Sequence, residues 1–384
     1  MKMQYNNVKK NGKNNGKKDF VTLFTMLYFM VCSGVGGFLF AKVTDELFGG
    51  KLKGPAAILV GIGILLLLVI SVFIHMFLHE CGHLLFGLLS GYSFQSIRWG
   101  SIMLMKTEEG IRMARYSLAG TGGQCIMMPP DTSDEDMPTS LYNLGGILVN
   151  GVVVILSVIL YLIFAKNVYV LLLSAFMVLI GIYLIIVNGI PMASMGNDGY
   201  NALHLAKDPI AKHCFKLQLL IVAQSAKNIP ITDLPSEWFD WEEKVSDNAL
   251  IMGQGVNRLE WLVYSKRIQE ASELSTFILE NVHKLADVLM HLVYIEHISC
   301  MIWLGVDREQ IIESFEKYKK DILLMRQLPS TQRMLYLFYS YVEADEKKAN
   351  KAKKQFEKIA ANYPYPCEIE IERQLMDLKN VLDN

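Results

Sequence analysis

The stretch PAAILVGIGILLLLVISVFIHMFL, residues 55–78, carries no Asp, Glu, Lys or Arg and runs directly into HECGH, residues 79–83. An uncharged apolar run of that length reads as a membrane-spanning helix. On a helix His79 and His83 stand at i and i+4, separated by about 40° of rotation and about 6 Å of rise, so their imidazoles converge on one cation. Glu80, about 100° further around, borders the same site. Two neutral nitrogens and a neighbouring carboxylate are what a hydrolytic Zn²⁺ centre needs: ligands that leave a position open for water, and a base to take its proton. Ionisable groups at membrane depth are costly and are kept for function. His75, one turn earlier on the same face, either supports the ligands or is polar packing, and packing is favoured because other residues fill the ligand positions.

The rest of the composition agrees with a membrane setting. With 52 % apolar residues and a mean hydropathy of +0.27, the chain is too apolar for an ordinary soluble protein, yet its second half holds most of the charge. A net charge of −1 implies no nucleic-acid partner. Lys2, Lys9, Lys10, Lys13, Lys17 and Lys18 crowd the start against Asp19 alone, which reads as a disordered basic tail marking the cytoplasmic side and touching anionic lipid. The cysteines Cys32, Cys81, Cys125, Cys214, Cys300 and Cys367 have no paired spacing, which fits a reducing compartment.

The expected organisation is a polytopic α-helical membrane protein with a C-terminal all-α cytosolic domain. A disordered tail (1–19) precedes an accessory transmembrane helix and external loop (20–54), an intramembrane core that carries the histidine motif (55–207) and a cytosolic helical domain (208–384). Four spans are expected, at about 20–43, 55–90, 141–164 and 168–190. Counting from a cytoplasmic N-terminus, four crossings return the C-terminus to the cytoplasm and leave 42–54 and 165–167 outside. The second helix would be about 52 Å long, with His79 on the order of 35 Å from its outer end, near the cytoplasmic face.

After that helix Arg98, Lys106, Arg112 and Arg115 make the chain basic, and Glu108-Glu109-Gly110 reads as a turn between strands at 94–105 and 111–116. The expectation is a short β-hairpin, which either caps the membrane end of the helix or holds an extended substrate along its open edge. Residues 120–138, with Asp131, Asp134, Glu135 and Asp136, read as a solvated acidic loop or a gate. Gly145, Gly146 and Gly151 suit close helix packing, with Asn150 among them as a polar group. Beyond residue 208, stripes such as Ile268, Ala271, Leu274 and Ile278 recur at helical spacing. They fit either a stack of helix pairs or a plain bundle.

A two-histidine motif needs a third donor. Asn188-Gly189-Ile190-Pro191 followed by Gly196-Asn197-Asp198-Gly199 breaks the fourth helix and lets Asp198 turn back toward the histidines. In these residues the chain resembles the bacterial type of the site-2 protease family of intramembrane zinc metalloproteases. His79-Glu80-Cys81-Gly82-His83 matches that family's HExGH motif. Asn188-x-x-Pro191 with Asp198-Gly199 is similar to its NxxP…DG motif, and the stretch from Gly145-Gly146 to Asn150 to its glycine- and asparagine-containing middle helix.

The resemblance covers about residues 55–200 and implies a three-helix core with His79, His83 and Asp198 on zinc and Glu80 as catalytic glutamate. The gap from Pro191 to Asp198 is wider than the common family form. The activity implied is hydrolysis of a membrane-embedded or membrane-anchored peptide. Asn150 or Asn188 is a candidate to hold the oxyanion or the substrate backbone. The rival reading is a metal-binding, non-proteolytic membrane scaffold that recruits partners through its cytosolic helices, a role with no use for Glu80.

Overall fold

The computed structural model describes residues 15–50, 54–107, 109–164, 166–241, 246–282 and 284–382. Most of the expected basic tail, together with Glu108, Ala165 and His283, lies outside them. Among the described residues four helices are long and apolar enough to cross a membrane: α1 (Asn15–Phe48), α2 (Pro55–Leu89), α3 (Ser140–Ile163) and α4 (Val168–Gly189). The first runs past the expected 20–43 at both ends. Leu59, Leu65, Leu66 and Ile163 stand more than half exposed on these helices, apolar surface that water disfavours and lipid accepts.

The chain forms two compact units. Residues 1–75 and 150–188 make the first, where Leu39, Val43, Leu171, Leu172 and Phe176 pack together and the Tyr28 hydroxyl donates to the Leu179 carbonyl. Residues 76–149 and 189–384 make the second, so HECGH, the strands and the C-terminal helices belong to one body.

In that body the expected hairpin is a four-stranded antiparallel sheet. Its strands are β1 (Ser93–Trp99), β2 (Ile102–Thr107), β3 (Gly110–Arg115) and β4 (Gly123–Met128), in the order β3-β2-β1-β4. Two things correct the sequence expectation. Gly100, at φ +58, turns the chain inside what reads as one strand, a left-handed conformation that glycine adopts without strain. The segment 123–128, which reads as part of an irregular loop, pairs with β1 from Ser93↔Met128 to Trp99↔Gly123. Its Gly-Gln-Cys-Ile-Met-Met sequence has little local strand signal, so the pairing is a tertiary choice. The acidic residues that follow are held rather than loose, since Asp134 pairs with His213 at 2.6 Å and Lys216 at 3.1 Å.

The sheet is a layer with two occupied faces, as its period-two alternation allows. On one face Trp99 meets Phe77 of α2 edge-on at 5.1 Å, and Met127 lies where Gly87 of α2 has no side chain. On the other, Met103 and Met105 pack with Ala226 and Tyr365 from the C-terminal part.

That part begins with α5 (Asp198–Leu205) and α6 (Pro209–Ala226). There follow α7 (Ala249–Tyr264), α8 (Ile268–Asn281), α9 (Asp287–Trp303), α10 (Arg308–Leu324), α11 (Pro329–Leu337), α12 (Glu346–Ala360) and α13 (Pro366–Leu382). Chain neighbours pack on one another: α7 on α8, α8 on α9, α9 on α10 and α11 on α12. The stripe of Ile268, Ala271, Leu274 and Ile278 is fully buried, as are Ile311, Phe315 and Ile322, and Ala349, Ala352 and Phe356. These helices bury a core of their own because their apolar side recurs every three to four residues.

Candidate metal centre

His79 and His83 project from the same side of α2, one turn apart, as the i,i+4 spacing requires. The His83 ring is fixed by its other nitrogen. Nδ1 lies 2.8 Å from the Tyr142 carbonyl oxygen in the first turn of α3, and only a protonated Nδ1 can donate there. That tautomer leaves Nε2 with a bare lone pair, the form a metal ligand needs. Tyr142 is anchored in turn, since its hydroxyl donates to the Cys125 carbonyl of β4 at 2.7 Å.

The third group arrives through backbone irregularity. After α4 ends at Gly189, the Asn197 side chain accepts from the Met192 and Tyr200 amides, each at 3.1 Å, and donates to the Ile190 carbonyl at 2.7 Å. Asn197 is thereby both the clasp of the loop and the N-cap of α5. Asp198 follows it as the first residue of that helix.

Three atoms meet. Asp198 Oδ2 lies 3.0 Å from His79 Nε2 and 3.4 Å from His83 Nε2, and the two Nε2 atoms are 3.2 Å apart. Donors 2.0–2.2 Å from a tetrahedral zinc ion are separated by roughly 3.3 Å, so the triangle has the size of one face of such a shell. Asp198 Oδ2 is also buried without a hydrogen bond, in spite of its closeness to two nitrogens. Burial works to raise the Asp198 carboxyl, but the two imidazoles more than offset this and hold it at about 2. The donor set and its geometry therefore fit a divalent ion, and two neutral nitrogens with one carboxylate oxygen suit zinc.

Glu80 is buried beside this triangle, within electrostatic reach of His79, His83 and Asp198. Its carboxylate occupies the space left by Gly123, where a Cβ would come within 2.2 Å of Oε1. Arg98, only 2 % exposed, holds that end of β4 by hydrogen bonds to Thr121 Oγ1 at 2.6 Å and the Gly123 carbonyl at 3.3 Å. Glycine is needed at three more places. A Cβ on Gly82 would sit 2.4 Å from the Gly145 carbonyl oxygen, one on Gly145 would sit 2.5 Å from that of Gly82, and one on Gly146 would touch the His79 ring at 2.5 Å. At these positions α2 and α3 meet backbone to backbone.

The structure thus brings together His79, His83, Asp198 and Glu80. Asn150 and Asn188 have other engagements. Asn150 faces His75 Nδ1 at 3.1 Å, while His75 Nε2 meets the Met177 carbonyl at 2.8 Å. The Asn150 atom it faces is Oδ1, so both neighbours are oxygens that accept from the His75 ring. Both His75 nitrogens are used, as polar packing inside the membrane helices requires. Asn188 donates to Leu184 of its own helix at 3.1 Å. Sequence reasoning missed Tyr142, Arg98, Gly123 and Asn197, whose roles depend on partners 17 or more residues away or on a side chain folding back on its own loop.

No protein-family model, curated protein or solved structure matches this chain.

Proposed function

We propose that the protein is an intramembrane zinc metalloprotease, of the kind its HExGH and NxxP…DG sequences resemble, and that it hydrolyses a peptide bond of a membrane-embedded or membrane-anchored substrate. The observation that carries this reading is the convergence of His79 Nε2, His83 Nε2 and Asp198 Oδ2 at 3.0 to 3.4 Å next to the buried Glu80. A zinc ion held by these three would polarise a scissile carbonyl and lower the pKa of water toward about 7. Glu80 would take the proton of the attacking water and deliver it to the leaving amine. Its placement by Gly123 and its closeness to the ligands support that role. Tyr142 would keep the His83 ring in the ligating tautomer, and Asn197 would keep Asp198 turned inward.

The topology that goes with this activity has both termini in the cytoplasm. Four helices long and apolar enough to span, an even number, together with the basic residues that follow the second of them, support it. A substrate helix must unwind to expose its carbonyls, because in lipid every backbone group is otherwise paired.

The test is Glu80→Gln in the full-length protein reconstituted with zinc. Zinc content should stay at one ion per chain while cleavage of a single-span substrate falls by about 10²- to 10⁴-fold. Cleavage persisting near the original rate would reject the catalytic role and leave the metal-binding scaffold as the reading to pursue.

A further inference from the structure

The outer half of the sheet leaves an apolar face uncovered. Side chains alternate between the two faces of a strand, and the pairings Ile102↔Arg115, Leu104↔Met113 and Lys106↔Ile111 put Ile111, Met113 and Arg115 of β3 on one face with Ile102, Leu104 and Lys106 of β2. Ile97 and Trp99 of β1, opposite Leu104 and Ile102, share it. This is the face turned toward α2, since Trp99 meets Phe77 edge-on and Leu104 joins the cluster that includes Cys81 and Leu84.

The cover that α2 gives to β1 does not extend to β3. Met113 is 73 % exposed, Ile111 63 % and Ile102 38 %. The strand cannot turn these side chains inward, because its other face is engaged: Ala114 packs with Met103 and Met105, and Arg112 donates to the Pro364 carbonyl at 2.8 Å. Single exposed apolar side chains are ordinary. Three neighbours on an edge strand form a surface that pairs or aggregates unless something covers it.

Two observations name the cover. The first is continuity. Leu85, Leu88 and Leu89, in the last turns of α2 just before the sheet, are half exposed or more and belong to the same compact unit, and α2 is one of the helices long and apolar enough to span a membrane. The second is charge. Lys106 and Arg115 are exposed at the margins of the apolar face, on the same side of the sheet, while Glu109 lies in the turn beyond the paired residues. Apolar side chains rimmed by Lys and Arg suit the boundary between acyl chains and headgroups, where long basic side chains reach lipid phosphate.

Resting on the reading of the four helices as membrane spans, we infer that the hairpin of β2 and β3 lies in the bilayer surface, with Ile102, Ile111 and Met113 at the acyl boundary and Lys106 and Arg115 at lipid phosphates. The hairpin fixes the depth of the sheet relative to the lipid. At the sheet's opposite edge, β4 carries the Gly123 that makes room for Glu80, so the same anchor sets the level at which the catalytic glutamate meets its substrate.

The test reads methionine oxidation. Full-length Lys351→Met protein, which adds a methionine on the exposed side of α12, is placed in nanodiscs of phosphatidylcholine and phosphatidylglycerol and treated with chloramine-T, a water-soluble anionic oxidant. Peptide mass spectrometry then gives the rate at each methionine. Met113 should oxidise at least about tenfold more slowly than the introduced methionine and no faster than Met30 of α1, which is also more than half exposed in the protein alone. Lys106→Glu combined with Arg115→Glu should raise the Met113 rate by at least about fivefold, with the fully buried Met127 of β4 still protected to show that the sheet stays folded. Met113 oxidised as fast as the introduced methionine while Met30 is protected would overturn the inference and leave this face to a protein partner. An unchanged Met113 rate in the double variant would overturn the phosphate contact. Rapid oxidation of Met30 as well would reject the membrane reading itself.

Discussion

Two clusters of buried ionisable side chains lie in the same compact unit, and they are built in opposite ways. Around Arg333 the partners come from inside the chain: Glu296 and Glu372 take its N–H groups, Tyr264 fills another carboxylate position, and the guanidinium lies 5.0 Å from the centre of the Trp303 ring. Around Asp198 two imidazole nitrogens and a carboxylate oxygen converge within 3.0 to 3.4 Å of one another. The first cluster pairs most of its polar atoms within the chain, Arg333 Nη1 being the exception. The second is a group of three ligand-type atoms that could hold a metal ion. Burial and charge alone do not mark a site; the mark is polar atoms whose shared partner must come from outside.

That contrast breaks most sharply at the ligands. Changing Asp198, His79 or His83 to Ala should abolish stoichiometric zinc binding and all cleavage, read by metal analysis of the purified proteins and by a peptide cleavage assay. Zinc retained at one per chain in the Asp198→Ala protein would show that the carboxylate is not a ligand, whatever its distance from the histidines.

Arg333→Met should do the reverse. Removing one partner of a buried, hydrogen-bonded ion cluster strands Glu296 and Glu372 and should cost roughly 3–5 kcal/mol of stability. Zinc content of the protein that remains folded should not change. Denaturation of the purified protein measures the first and metal analysis the second, and a loss of zinc without a loss of stability would mean that the two clusters do not differ as described.

The smallest effect tests the strand between the clusters. In Gly123→Ala the new Cβ would fall 2.2 Å from Glu80 Oε1, so Glu80 must move while the ligands do not. Displacing a catalytic group by about 1 Å costs up to roughly 10²-fold in rate, so cleavage should fall between about tenfold and a hundredfold with zinc binding intact. Unchanged kcat in this variant would say that Glu80 has slack and that β4 does not position it.

Much of the metal centre is legible in the chain itself. Helix periodicity is local, so HECGH fixes the facing of His79 and His83 as soon as the apolar run makes it a helix, and the Asn, Gly and Pro residues around 188–199 announce a break from which an acid can turn back. The stripes of the C-terminal helices are legible for the same reason, since a 3.6-residue repeat needs no knowledge of what covers it. The sheet was legible only in part. Its hairpin lies in adjacent residues, but Gly100 splits one apparent strand, and β4 is chosen by what β1 and α2 offer it rather than by its own residues.

The sequence by itself determined the four apolar helices, the motif that puts two imidazoles on one side of α2, and the loop that supplies Asp198. Only the tertiary structure decided that Oδ2 and the two Nε2 atoms close to 3.0–3.4 Å, that His75 is occupied by Asn150 and Met177, and that Gly123 makes room for Glu80. The division has one physical cause. Backbone geometry repeats over a few residues and so can be read from spacing, whereas the partner of a buried polar atom is selected by packing between segments far apart in the chain, which no local pattern records.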